Sequence, residues 1–333
     1  MNDHATNDYQ NLGPAEILEA VDSQGYYSDG RLLVMNSYEN RVYRVGLDGD
    51  KAIVVKFYRP GRWSDAAIYE EHHFALELAK REIALIPPLA NSAGETLFRH
   101  KSYRFALFEC YGGRPPNFES PDQLRQLGRF IGRLHAVGSE AAYQHRPTLD
   151  ATTFGSSCVE FLLKSRFIPD ELIAAYESLS QDLLQRIQWC YERCPEIKLI
   201  RTHGDCHSGN ILWTDDGPHL VDLDDSRMAP AVQDLWMFLS GEREDREISL
   251  GVLLEGYTAF ADFDPAQLNL IEALRTLRLM HYYAWIAQRW EDPAFPRVFS
   301  WFNTPRSWEQ HILDLREQAA LMDEPALAWQ SMS

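Results

Sequence analysis

The stretch "HGDCHSGNILW", residues 203–213, sets two histidines, a cysteine, an aspartate and an asparagine close together. Two chemistries compete for it. His203, Cys206 and His207 are zinc-ligand types, but a zinc site needs a fourth ligand in a tetrahedral set. His-x2-Cys-His is not a usual zinc spacing, and no other Cys/His cluster in the sequence completes it. Asp205 and Asn210 are the types that phosphoryl transfer needs. The first is a carboxylate that can take the proton of an acceptor hydroxyl. The second offers a neutral amide oxygen, which can complete a Mg2+ shell without overcharging it.

Phosphoryl transfer also needs a cation over the phosphates and a further metal ligand. Asp222 follows the apolar run "HLV" and can present its carboxylate from a strand end to the same metal. Lys56 stands in "KAIVVKFY", an alternating run in which Ile53, Val55 and Phe57 share one face and Val54, Lys56 and Tyr58 the other. Glu71 falls within the apolar stripe of the helical segment that follows, among Ala67, Ile68, Phe74, Ala75 and Leu78, whereas Glu70 and Glu77 lie off it. A carboxylate on a buried face needs a partner, and Lys56 is the candidate. Singly, each residue has an ordinary reading: a strand lysine reaching solvent, a helix glutamate, two turn aspartates. Their conjunction, each part once and in a workable order, selects phosphoryl transfer.

These side chains must be held by strands first and helices later. "RVYRVGLDGDKAIVVKFY" reads as two strands joined around Asp48-Gly49. Ser64 is placed to cap the helix that carries Glu71. Two further strands are expected near 95–99 and 103–109. "YGGRPP", residues 111–116, punctuates the chain where the strand pattern stops. Beyond it, Ser120-Pro121 starts a helix with Leu124, Leu127, Ile131 and Leu134 on one face and an end at Gly138. Helices are further expected at about 157–165, 170–194, 230–240, 245–261, 266–291 and 306–322, interrupted by short apolar runs around the opening motif.

The bulk numbers narrow the partners. A net charge of −17 argues against nucleic acid and against anionic membranes. Five cysteines suggest no disulfide framework; Cys190 and Cys194, one helical turn apart, read as buried thiols. The start "MNDHATNDYQ" has neither basic n-region nor apolar run, and no stretch approaches a bilayer span, so a cytoplasmic location is expected. His135 in "IGRLHAVG" reads as a core histidine, and the aromatics near 281–296 as core in preference to a substrate platform.

"HGDCHSGN" followed by "LVDLDD" resembles the catalytic and metal-binding segments of the aminoglycoside phosphotransferase/choline kinase branch of the protein-kinase-like fold. With "NSYENRVYRV", "VVKFYRP", "EEHHFALEL" and "PAVQDLW", the chain is similar to a narrower group, bacterial cytoplasmic Ser/Thr protein kinases of the stress response, over roughly residues 30–300. The resemblance implies an α+β, two-lobed fold: a β-rich N-lobe, residues 1–110, and a mostly helical C-lobe, residues 111–333. ATP and Mg2+ would bind in the cleft near 110–116, with "FECY", residues 108–111, as the adenine-reading hinge. It implies Asp205 as catalytic base, Asn210 and Asp222 as Mg2+ ligands, and Lys56 on the ATP phosphates with Glu71 as its partner. Ser37, in the turn "NSYEN", would cover the nucleotide, and Asp234 would brace the catalytic loop.

Two departures from ordinary protein kinases stand out. No glycine occurs between 31 and 45, where a Gly-rich loop would lie, so the Ser37 hydroxyl would substitute. Gly204 replaces the arginine that meets a phosphorylated activation loop, and "LDDSR" replaces Phe-Gly after Asp222, which implies activity without such a switch. The expected acceptor is a protein Ser/Thr hydroxyl, autophosphorylation included, and the molecule is read as a monomer. The alternatives are a small-alcohol kinase of the choline, homoserine or aminoglycoside type, a nucleotide-binding pseudokinase scaffold and, third, a zinc hydrolase.

Overall fold

The first element is one that the periodicity did not announce. In the computed structural model, which describes residues 9–35 and 37–329, α1 spans Pro14–Asp22. Pro14 starts it, and the Glu16 carboxylate accepts the Gly13 amide at 3.2 Å. Its buried face, Ile17, Ala20 and Val21, packs into the same cluster as Val45, Val55, Phe57 and Phe105.

The strands follow: β1 (Ser28–Val34), β2 (Arg41–Leu47) and β3 (Lys51–Phe57), then α2 (Asp65–Lys80), β4 (Phe98–His100) and β5 (Tyr103–Glu109). They form one antiparallel sheet in the order β1-β2-β3-β5-β4. The expected hairpin is present, with Leu47 opposite Lys51, and Ser64 caps α2 by accepting the Ala67 amide at 3.2 Å. The strand expected from residue 95 begins only at Phe98. Asn91 draws the Ala93 and Glu95 amides onto its side chain at 3.0 and 2.9 Å, a local turn that competes with the ladder.

After residue 116 come α3 (Pro121–Gly138), α4 (Ser157–Lys164), α5 (Asp170–Glu192), β6 (Leu199–Thr202), β7 (Ile211–Thr214), β8 (Gly217–Leu220) and β9 (Arg227–Pro230). The chain then runs through α6 (Arg243–Tyr257), α7 (Ile271–Gln288), α8 (Ala294–Val298) and α9 (Pro305–Asp323). The helix expected at 230–240 is not formed: two 3-10 turns, Ala231–Asp234 and Trp236–Phe238, stand there. Residues 226–236 are buried on all sides, so the apolar spacing there marks enclosure, not a helix face. The helix expected at 266–291 is split into a 3-10 turn, Pro265–Leu270, and α7. Gln267 explains the tight turn, since its side chain accepts the Val232 amide at 3.1 Å.

The chain divides into two compact units, each assembled from separated stretches. One contains residues up to Pro116, Tyr143–Arg146 and Ser208–Asp225; the other contains Asn117–Ala142, Pro147–His207 and residues from Ser226 onward. β6 pairs with β9 in the second unit, and β7 with β8 in the first. All five cysteines are free thiols. Among the described residues no helix is long and apolar enough to cross a membrane.

The second unit depends on a close helix crossing. A Cβ on Gly128 of α3 would lie 2.0 Å from the Leu253 carbonyl oxygen of α6, and one on Gly132 2.5 Å from that of Tyr257. From the other side, a Cβ on Gly256 would lie 2.1 Å from the Arg125 carbonyl oxygen. These contacts are with backbone, which cannot rotate away, so Gly128→Ala should cost about 3 kcal/mol of stability. Urea denaturation checks this; a midpoint equal to that of the wild type would show that the two helices can separate freely.

Candidate active site

In the first unit, β3 places Lys56 on the side of the sheet that faces α2. Its side chain is only 6% exposed, and Nζ lies 2.9 Å from Asp222 Oδ1 and 3.3 Å from both Glu71 Oε1 and Asp224 Oδ1. The ammonium also sits 4.9 Å from the centroid of the Tyr58 ring. Burial alone would depress this amine, but Asp222, Asp224 and Glu71 together hold it well above the ordinary lysine range.

Glu71 is buried on α2, where its helical phase placed it, and burial pushes its carboxyl up against the opposing pull of Lys56 and Arg146. Arg146 was not singled out in the sequence. Its fully buried guanidinium lies 3.4 Å from Glu71 Oε2 and donates to the Ala67 carbonyl at 3.0 Å and to the Asp224 carbonyl. It also lies 4.6 Å over the Trp63 ring. The adjacent Glu70 accepts the backbone amides of Gln144, His145 and Arg146 at 2.6, 2.9 and 2.9 Å. One carboxylate of α2 therefore fixes the 143–146 loop, and the next uses the arginine that this loop delivers.

The turn at 222–225 is the third component. Asp222 adopts φ +64°, a left-handed conformation that strains a non-glycine residue. Its Oδ1 takes Lys56 and, at 3.4 Å, the Asp224 amide, while the side chain stays 44% exposed. Arg62, also not foreseen, binds Asp224 and reaches Asp225 at 2.7 Å. Burial would raise the Asp224 carboxyl, yet Arg62 and Lys56 hold it below the ordinary range. Asn210 is tied to this turn by its carbonyl, which accepts the Val221 amide at 3.0 Å. The oxygens of Asn210 and Asp222 are hard donors that suit a divalent cation such as Mg2+ or Ca2+.

Ser37 lies half-buried in the β1–β2 connection, beside Asn36, which is outside the described residues. The structure brings it into no hydrogen bond with the Lys56 set. The glycine-free turn has a different anchor: Arg59 donates to the Glu39 carbonyl at 2.9 Å and to the Tyr38 carbonyl at 3.2 Å, and its amide meets Asn40 Oδ1 at 3.1 Å.

Asp205 belongs to the second unit, on a loop braced by Asp234. Asp234 accepts the His203 amide at 2.6 Å and the Gly204 amide at 2.9 Å, and its Oδ2 also meets His135 Nε2 at 3.0 Å. His135 in turn pairs through Nδ1 with the Tyr257 hydroxyl at 3.1 Å, so it is a satisfied core histidine. Gly204 has φ +84°, which explains why no arginine stands before Asp205: a side chain there would be strained. The Asp205 carboxylate binds Arg278 of α7 and lies 3.4 Å from His207 Nε2. Burial works against its ionisation, but His207 and Arg278 hold it far below the usual carboxylate range. Burial pushes the Cys206 thiol well up, which opposes the thiolate that zinc would need. Among the described residues, no group of three or more His, Cys, Asp or Glu side chains could hold a metal.

Comparison with known proteins follows the same line. Residues 33–271 match the model of the phosphotransferase enzyme family. Stress response kinase A of Salmonella choleraesuis is 41% identical over 327 residues, covering 98% of each chain. A serine/threonine protein kinase, RdoA, of Salmonella typhimurium shows the same identity and coverage. Among solved structures, an amicoumacin kinase in complex with AMP-PNP and Ca2+ superposes with a TM-score of 0.72 at 16% identity, covering 98% of each chain, and so shares the fold.

The Lys56 set has a testable acid sensitivity. His72, beside Glu71 on α2, is buried between the Tyr58 hydroxyl at 2.7 Å and the Thr96 hydroxyl at 2.8 Å. Burial, aided by Lys56 and Arg146, lowers its pKa from 6.5 to about 3. The native state then stays unprotonated where the unfolded chain takes up a proton. Its contribution is fully present above pH 6.5 and is lost as the pH falls from there toward 3. The loss should reach about 1.4 kcal/mol at pH 5.5. Denaturation at pH 7.5 and 5.5 should show an acid-induced loss that is smaller by that increment in His72→Phe than in the wild type, since the buried His311, also lowered to about 3, acts in both; equal acid sensitivity in both would exclude His72 as its source.

Proposed function

This chain belongs to the phosphotransferase enzyme family and is a kinase, and from that premise we propose that it transfers the γ-phosphoryl group of ATP to serine or threonine hydroxyls of proteins in a bacterial stress response. The observation that carries the reading is the buried Lys56 ammonium, fixed by Glu71 on α2 and by the strained Asp222. In this reading Lys56 neutralises charge on the phosphates, and Glu71 keeps it aimed. Asn210 and Asp222 would hold the divalent cation, assigned as Mg2+, and Ser37 would cover the nucleotide. When bound, the cation would supply charge neutralisation on the phosphates.

Asp205 receives the acceptor hydroxyl. As the acceptor oxygen bonds to the γ-phosphorus, the bond to the β–γ bridging oxygen breaks, ADP leaves with that electron pair, and the acceptor proton passes to Asp205. The Lys56 set and the ion pairs joined to it count four cations, Lys56, Arg59, Arg62 and Arg146, against five carboxylates, Glu39, Glu71, Asp222, Asp224 and Asp225. A set with one negative charge in excess would suit a divalent cation. A need for ATP supports the reading that the protein acts in the cytoplasm.

Labelled ATP offered to the purified protein, alone and then with protein substrates and a panel of small alcohols, tests this. Label should appear on serine or threonine, and Asp205→Ala should reduce transfer about a thousandfold. Turnover with a small alcohol alone would replace the protein acceptor by a small-molecule one. Asp222→Ala should abolish the Mg2+-dependent rise in melting temperature that ATP gives; an unchanged rise would remove Asp222 from the cation site.

A further inference from the structure

On a chain with 49 acidic and 32 basic residues, the acid that would receive the acceptor is met by a guanidinium and an imidazole of its own unit. Arg278 binds one carboxylate oxygen of Asp205, and His207 lies 3.4 Å from the other. Arg278 is not a buried structural cation: its side chain is 42% exposed, while that of Asp205 is 23% exposed. Arg278 is therefore the more accessible member of a partly buried pair, and can meet a new partner without first being uncovered. One helical turn further along α7, His281 stacks on Phe154 with ring centroids 4.1 Å apart, and the Arg227 guanidinium lies 4.7 Å from the same ring. The stretch of α7 beside Asp205 thus presents a half-exposed guanidinium followed by a ring shelf backed by a second one.

We propose that the acceptor of this kinase is a serine or threonine flanked by carboxylate side chains, and that Arg278 is the residue that reads those carboxylates. Binding exchanges the Arg278–Asp205 bond for a bond between Arg278 and the substrate, and this leaves Asp205 to the hydroxyl. The inference rests on the reading that Asp205 receives a protein hydroxyl. A guanidinium suits the task because it can grip a carboxylate through two parallel hydrogen bonds. The same exchange keeps the site closed to solvent hydroxyls until an anionic partner draws Arg278 away. Substrates with lysine or arginine beside the hydroxyl meet Arg278 as a like charge and are refused.

The test uses the full chain with ATP, Mg2+ and serine peptides that differ only in flanking residues: glutamate and aspartate, alanine, or lysine. The acid-flanked peptide should exceed the alanine-flanked one in kcat/KM by about tenfold or more. Arg278→Gln should bring that ratio close to one, and Arg278→Glu should shift preference to the lysine-flanked peptide. A ratio between peptides is blind to general damage, so a purely structural role for Arg278 would leave it unmoved. Peptides phosphorylated without regard to flanking charge, or a preference that survives in both variants, would overturn the inference and leave the protein-kinase reading standing. Phosphorylation of no peptide, with turnover of a small alcohol, would overturn that reading and the inference with it.

Discussion

Taking an ammonium out of water costs several kcal/mol unless carboxylates accompany it. Lys56 imposes that condition on the first unit. Strand β3 buries it, and its three carboxylate partners come from α2 and from the turn at 222–225. Those carboxylates are themselves buried or strained, so they need partners in turn: Arg146 for Glu71, Arg62 for Asp224 and Asp225. The packing of α2, the 143–146 loop and the turn at 222–225 can thus be read as successive answers to one buried charge. Such a network ties α2 to the 143–146 loop and to the turn at 222–225 through charged side chains alone.

The second unit solves a different problem, that of presenting a carboxylate on a loop with little freedom. Asp234 takes two consecutive backbone amides and a core histidine, and Gln233 donates to the Gly204 carbonyl at 2.9 Å, so the loop position is set from beneath by two adjacent side chains. This is also why residues 231–238 form tight turns where a helix was expected. The carboxylate that braces the loop must point inward, and its neighbours are enclosed with it. Arg278 and His207 then govern the charge that the loop presents.

Much of this was legible in the sequence, for identifiable reasons. Strand alternation placed Lys56 on its face, helical phase chose Glu71 over Glu70, and Ser64 and Ser120 marked helix starts that the structure shows as capped. These are local signals, carried within one turn or one strand. Arg62, Arg146 and Arg278 were missed because each acts on a residue between 73 and 163 positions away, with no period to reveal the pairing. The 143–146 loop could not be assigned to the first unit by any composition change. A partial clue existed for Arg62, in the run of cations after "VVKF", but a surface role was equally ordinary for it. Helix α1 escaped because nine residues offer too little periodicity.

The short loop that delivers Arg146 comes from the middle of the chain, with sequence belonging to the second unit on either side. The first unit therefore has no contiguous coding segment: a fragment ending at residue 116 lacks both the loop that α2 holds and the turn that balances Lys56. Such a half cannot be exchanged between proteins, duplicated or grafted as a block. It is inherited only together with the rest, and its buried charges change in concert or not at all.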